Sequence, residues 1–365
     1  MTESFQRPQP RDDLRALEGY HSPQLDVQVR LNTNESPFPA PRAFLEAYAA
    51  AIAAADYHRY PDRGAAELRA AIGASLDQPA SRVFCANGSN EVLQTLLLTY
   101  GGPGRSILVF EPTYALHAHI ARLTSTGVIS ATRSDDFSID AEYACALIAQ
   151  HRPSIVFICS PNNPTGTVES RATVMAIADA VASVGGVLIV DEAYGEFAEF
   201  SALELIDEAR PIVVSRTYSK VWSMAGIRLG LCVGPEWLIA ELDKVVLPYH
   251  LSTPTQLAGT LALAYHDEMR SRIAALVEER GRLFQELSGR PGLTVMPSGA
   301  NFLLIRVHGD GHALWEALVA RGVLVRDFSR WPGVDECLRI TIGTHEENTA
   351  LLRALDAALE EQGYA

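Results

Sequence analysis

At 365 residues, 48% apolar and 20% charged, the chain is long enough for a large core and for two domains, and its composition is that of a globular enzyme. A formal charge of −14 disfavours a nucleic-acid partner, which would need a basic surface, yet leaves room for a small anion held by local arginines. The opening MTESFQRPQPRDDLRAL has no basic stretch followed by an apolar one, so no secretory signal is expected.

Taken in chain order, the Ala-rich run 48–55 is too short to span a bilayer and reads as one face of a helix. ANGSNEVLQTLLL (86–98) is a glycine turn opening a helix of apolar periodicity. GGPGRS (101–106) precedes a strand and lacks phosphate-loop spacing, so it reads as a turn. The apolar runs SILVF (106–110), SIVFI (154–158), GVLIV (186–190), PIVVS (211–215) and LGLCV (229–233) are separated by helical stretches such as 169–184. Continuous apolar strands of this kind predict a mostly parallel sheet covered by helices on both faces.

A single long helix is predicted over 254–288, leading into a different pattern. There GLTVMP, NFLLIRV, VLVRDF and CLRITIG read as strands, with helices at 312–321 and 346–361. The fold class is therefore α/β, with a large domain built on that parallel sheet and a small α+β C-terminal domain. The expected division is an N-terminal segment over 1–40, the large domain over 41–255, and the connecting helix with the small domain over 256–365. Cys85, Cys145, Cys159, Cys232 and Cys337 form no C-x-x-C pair, which suggests buried thiols in a reducing compartment such as the cytoplasm. His117 and His119 are two apart, do not share a helical face, and carry no metal-site pattern. His250 reads as structural.

In open α/β sheets ligands collect beyond the carboxyl ends of the strands, and chemically useful groups fall there. SIVFI runs into CSPNNPTG with Asn163, GVLIV into DEAY with Asp191 and Tyr194, and PIVVS into RTYSK with Thr217, Ser219 and Lys220. Singly, each is more often a turn-former, a cap or a surface ion. Together they match the needs of pyridoxal 5'-phosphate. Lys220 supplies an amine for a Schiff base, and Asp191 a carboxylate against the ring nitrogen. Asn163 and Tyr194 suit the ring's 3-oxygen, and Tyr114 of EPTY offers an aromatic platform. For the phosphate, Ser89 and Asn90 open a helix whose N–H groups can face an anion, while Thr217, Ser219 and Arg228 approach from the other side. Gly226 is expected to permit close backbone approach between Lys220 and Arg228.

These residues lie in a chain that resembles the fold-type I, class I and II pyridoxal-phosphate-dependent aminotransferases. The likeness runs through LNTNESPF (31–38), RYPD (59–62), GSNEVL (88–93), EPTY (111–114), SPNNPTG (160–166), DEAYGEF (191–197), TYSKVWSMAGIRLG (217–230), SGANFLL (298–304), VRDF (325–328) and LRITIGT (338–344). It implies that Lys220 binds the cofactor and then shuttles a proton, with Asp191 and Tyr194 beside it. It also implies that Tyr60 of RYPD reaches the cofactor phosphate of a second subunit, hence a homodimer with shared active sites and no membrane or nucleic-acid partner. Substrate anions, phosphate or dicarboxylate, are expected at Arg339 and Arg326, with Tyr20 and Asn34 lining that pocket.

The implied reaction is amino transfer between histidinol phosphate and 2-oxoglutarate. An aromatic amino acid aminotransferase and a phospho-amino-acid decarboxylase on the same scaffold stand as alternatives. The sequence departs from the family pattern at Tyr218, Val221 and Trp222, which are expected to reshape the pocket.

Overall fold

The computed structural model describes residues 7–15, 19 and 24–363. Near the N-terminus lies β1 (Val29–Leu31). Seven strands follow: β2 (Val83–Ala86), β3 (Ser106–Glu111), β4 (Gly127–Thr132), β5 (Ile155–Cys159), β6 (Val187–Asp191), β7 (Ile212–Thr217) and β8 (Gly230–Val233). They make one sheet in the order β2-β8-β7-β6-β5-β3-β4. The pairs from β4 across to β7 are parallel, and β8 runs antiparallel to both β7 and β2.

The continuous apolar runs have the predicted cause. Along β3 the side chains of Ile107 and Val109 enter one core, while Leu108 and Phe110 enter the other. β5 does the same, with Phe157 on one side and Val156 and Ile158 on the other. A strand buried on both faces cannot alternate with polar residues. Helix Arg171–Val184 covers one face with Val174, Ile177, Ala178 and Val181, the spacing of one helical stripe. Its ends are marked in the sequence. Ser170 accepts a hydrogen bond from the Thr173 amide, and Gly185 closes the helix at a φ of 75°. On the opposite face helix Ser89–Tyr100 buries Val92, Leu93, Leu96 and Leu97.

The last four strands are β9 (Leu293–Val295), β10 (Phe302–Val307), β11 (Val323–Asp327) and β12 (Cys337–Thr341). With β1 they form a second sheet, ordered β1-β11-β12-β10-β9. β1 pairs in parallel with β11, so the N-terminal segment does add to this unit. The final helix, His345–Glu361, starts from a capping box of Thr344 and Glu347.

One prediction needs correction. The stretch 254–288 is not one helix but two, Thr253–Ala262 and His266–Ser288, separated by a tight turn over Leu263–Tyr265. No helix breaker stands at the break, so apolar periodicity ran through it unmarked. Three strands also escaped the sequence reading, β1, β2 and β4, and β1 is only three residues long. β2 is a short sheet edge, and β4 is a half-exposed edge without a continuous apolar signature. Among the described residues no helix is long and apolar enough to cross a membrane.

Candidate active site

Because β3, β5, β6 and β7 are parallel, their carboxyl ends share one edge, and the turns after them converge on a cavity of about 410 Å³. Its walls include Ser89, Asn90, Tyr114, Asn163, Asp191, Tyr194, Thr217, Ser219, Lys220, Arg228 and Arg339. Most of the sequence-predicted residues are thus brought to one place. Arg326 lies alongside, in a smaller void of about 30 Å³ that it shares with Tyr114, Asn163 and Arg339. Tyr60 is outside, 80% exposed and stacked on Tyr249 with ring centroids 4.5 Å apart. Tyr20 lies outside the described residues.

Lys220 follows β7 and donates from Nζ to the Thr33 carbonyl at 2.9 Å. Burial, helped by the positive charges of Arg339 and Arg228 and opposed by Glu35, lowers its pKa to about 8. At pH 7 about one tenth of such an amine is neutral, against about 0.03% for an ordinary lysine. That difference separates a usable nucleophile from a solvated cation.

Register places Cys159, Asp191 and Ser215 side by side on β5, β6 and β7. The Asp191 carboxylate accepts from Ser215 Oγ at 3.0 Å and from the Ala193 amide at 3.2 Å. Its other oxygen meets His117 Nε2 at 2.9 Å. His117 is fully buried, stacked on Phe157 at 4.4 Å and set edge-on to Tyr114 at 5.4 Å. Its Nδ1 has no hydrogen-bond partner among the described residues, and since a carboxylate only accepts, Nε2 is the nitrogen that donates to Asp191. The sequence reading dismissed His117 because it considered only a metal site with His119. The usable signal was its position three residues after Tyr114.

Tyr194 is buried, and desolvation pushes its pKa up to about 12, so the phenol keeps its proton. Asn34 Nδ2 donates to the Tyr194 oxygen at 2.9 Å, which leaves the phenol O–H to donate elsewhere. The Asn34 amide oxygen accepts from Thr341 Oγ1 at 3.0 Å. Asn34 therefore turns inward as a brace between the two sheets, and its neighbour Glu35 lines the cavity instead. Asn34 takes this position with a φ of 55°, in the left-handed region that Asn tolerates.

Helix Ser89–Tyr100 begins at Gly88, with a φ of 79° and no capping side chain. The amides of its first turn can thus be satisfied by a ligand anion. Arg228, itself at a φ of 58°, lies against this turn and donates to Ser219 Oγ and the Ala225 carbonyl. A Cβ on Gly88 would sit 2.4 Å from Arg228 Nη2.

The reading of Gly226 is corrected: a Cβ there would meet no protein atom within 4 Å. The close backbone approach is at Gly230, where a Cβ would lie 2.2 Å from Gly88 C and Ser89 N. Tyr218, Val221 and Trp222 are corrected too. They are buried, Tyr218 stacks on Trp222 at 5.0 Å, and none of the three lines the cavity. His250 sits behind the site, its Nε2 against the Cys85 carbonyl at 2.9 Å and its ring stacked on Phe84.

At the other wall, Arg339 on β12 lies between the rings of Phe302 and Phe328, at 5.2 and 5.4 Å. It donates to Asn163 Oδ1 and, at 2.8 Å, to the Asn32 carbonyl. Arg326 on β11 is its direct partner in the antiparallel register. Two guanidinium groups facing across one strand pair repel, and an anion between them would remove that repulsion.

The family described as "Aminotransferase class I and II" matches residues 26–355. A histidinol-phosphate aminotransferase of Thermobifida fusca is 46% identical over 352 residues, covering 94% of each chain. One from Mycolicibacterium vanbaalenii is 45% identical over 356 residues, again covering 94% of each. Among solved structures, histidinol-phosphate aminotransferase from Sinorhizobium meliloti, in complex with pyridoxal-5'-phosphate, superposes with a TM-score of 0.88. That match has 22% identity and covers 97% of this chain and 98% of the other.

Proposed function

The chain belongs to the class I and II aminotransferases, and from that premise we propose that it transfers an amino group between histidinol phosphate and 2-oxoglutarate with pyridoxal 5'-phosphate as cofactor. In the biosynthetic direction the substrates are imidazole acetol phosphate and glutamate. The observation that carries the reading is Lys220: a part-buried amine with its pKa lowered to about 8, in one cavity with Asp191 and an uncapped helix start. The names of the relatives support the choice of substrate.

The residues fit that cofactor. An amine, a buried carboxylate and an anion cradle are each present, and Gly88 leaves the space that a Cβ would fill. When bound, the cofactor supplies an electron sink that stabilises negative charge on the substrate carbon bearing the amine. Lys220 would bind the cofactor aldehyde and, once released, would carry the proton from that carbon to the cofactor's 4′ carbon, which leaves the amino group with the cofactor. Asp191, held by His117, Ser215 and the Ala193 amide, places a negative charge at the ring-nitrogen end. Tyr194 donates its phenolic hydrogen, and Asn163 offers its amide on the same side. Ser89, Asn90, Thr217, Ser219 and Arg228 hold the cofactor phosphate, and Tyr114 gives the ring a platform. Arg339, with Arg326 beside it, binds the phosphate of one substrate and the carboxylate of the other.

The exposed Tyr60, stacked on Tyr249 away from its own cavity, supports a homodimer in which it completes the partner's site. The five cysteines are all free thiols, in keeping with a cytoplasmic enzyme. We take the two sheets as the cores of two domains, divided near residue 255.

The test is the absorbance spectrum of the purified protein with cofactor, before and after histidinol phosphate and, separately, phenylalanine. Loss of the visible band of the lysine-bound cofactor with histidinol phosphate is the expected result. Loss with phenylalanine alone would move the function to aromatic transamination. Release of carbon dioxide from a phosphorylated amino acid would move it to decarboxylation.

A further inference from the structure

The segment 32–35 is laid across the cavity like a strap. The Asn32 carbonyl accepts from Arg339 at 2.8 Å, and the next carbonyl, of Thr33, accepts from Lys220 at 2.9 Å. Asn34 then anchors the strap to Thr341 and Tyr194. Glu35 comes last and lines the cavity. In chain order the strap meets Arg339, then Lys220, then Thr341 and Tyr194, and it ends with Glu35 on the wall of the same cavity.

The charges of the cavity are unevenly used. Lys220, Arg228 and Arg339 are cationic and answer to a cofactor and substrate rich in anions. Two carboxylates face them. Asp191 is committed to His117, Ser215 and the Ala193 amide. Glu35 is not: it is exposed, and among the described residues its one side-chain hydrogen bond is from the Thr33 hydroxyl, which donates to Oε2 at 2.7 Å, with no ion-pair partner. That hydroxyl fixes one oxygen and orients the group. Its proximity to the amine is also felt electrostatically, since Glu35 opposes the lowering of the Lys220 pKa.

A carboxylate beside a phosphate-binding site costs affinity for every anionic substrate unless something basic meets it. Histidinol phosphate has such a group. It must place the carbon bearing its amine at Lys220 Nζ and its phosphate toward Arg339. Its imidazole then takes up the rest of the cavity, whose wall Glu35 shares.

We propose that Glu35 is a specificity-determining residue that accepts a hydrogen bond from the imidazole N–H of the substrate and so selects a basic heterocycle over a phenyl ring. This rests on the proposed function and deepens it. A phenyl ring has no N–H to give, so it forfeits that hydrogen bond. Thr33 acts as the positioning residue, holding Oε2 so that the other oxygen is presented.

Glu35 also acts on Lys220, so a drop in rate alone would not separate recognition from a general electrostatic effect. The ratio of two substrates does, because any change at Lys220 applies to both and cancels. The experiment uses the cofactor-loaded enzyme and Glu35→Gln. It measures kcat/KM for histidinol phosphate and for phenylalanine as amino donors, each with 2-oxoglutarate. The expected result is that the ratio in favour of histidinol phosphate falls about tenfold, the loss of one hydrogen bond to a charged group at the low end of its range because the position is exposed. Glu35→Ala should lower it at least as far. A ratio within twofold of wild type, however far both rates fall, overturns the inference and leaves the proposed function standing. A wild-type enzyme that does not use histidinol phosphate sinks both together.

Discussion

Replacing His117 with Phe tests whether Asp191 depends on a partner that touches neither cofactor nor substrate. The substitution keeps a flat ring, so the stack on Phe157 at 4.4 Å and the edge contact with Tyr114 can persist. What disappears is the 2.9 Å hydrogen bond to Asp191 Oδ2, inside a site where both side chains are 2% exposed or less. A hydrogen bond to a buried charge contributes about 1.5–3 kcal/mol, or about 10- to 150-fold in any equilibrium or rate that depends on it. Asp191 keeps two donors, Ser215 Oγ and the Ala193 amide, which argues for the lower end of that range. The folding cost should be smaller still, because the substitution also removes the buried Nδ1 that has no partner among the described residues.

The expected outcome is a fall of about tenfold in kcat/KM for both amino donors, measured at saturating cofactor, with little loss of thermal stability. His117→Asn, which restores a donor on a shorter side chain, should recover part of the rate. If His117→Phe turns over within twofold of wild type, Asp191 does not need His117 and the reasoning is refuted. If the rate falls only in proportion to lost folded protein, the role is packing alone.

Three further predictions concern the anion cradle and the amine. Gly230→Ala drives a methyl group into the backbone of Gly88 and Ser89, so it should displace the start of helix Ser89–Tyr100 and cost about 1–3 kcal/mol of stability. Cofactor affinity, followed by titrating the apoprotein, should fall more for pyridoxal 5'-phosphate than for pyridoxal; equal loss would place the damage outside the phosphate site. For Lys220, a pKa lowered to about 8 means that capture of the cofactor by the apoprotein speeds up as pH rises to about 8 and then levels off. Since Arg339 lowers that pKa, Arg339→Ala should move the midpoint to higher pH while weakening histidinol phosphate and glutamate alike. A midpoint that stays in place would remove Arg339 from the electrostatics of the amine.

Much of this site was legible because its residues follow strands whose apolar runs are unambiguous. Once β5, β6 and β7 are parallel, Asn163, Asp191 and Lys220 must share an edge, whatever lies between them in the chain. Local chemistry also marked the helix start at Gly88. These are properties of short stretches, and a sequence carries them directly.

What the tertiary structure decided are relations between distant stretches. The hydrogen-bond partner of Asp191 is His117, 74 residues earlier, turned toward it by a stack on Phe157. The glycine that matters is Gly230, because β8 brings it against Gly88, whereas Gly226 faces open space. Trp222 and Tyr218 follow the reactive lysine closely, yet fold into the core, because their large apolar rings gain more from burial than from a polar cavity. In the strap, the short-range motif marked Asn34, but the contact with Thr341 across 307 residues turns that side chain inward and leaves Glu35 facing the cavity. Periodicity and turn chemistry act over a few residues and can be read in one dimension; which side chain faces which depends on packing, and packing exists only once the sheets have met.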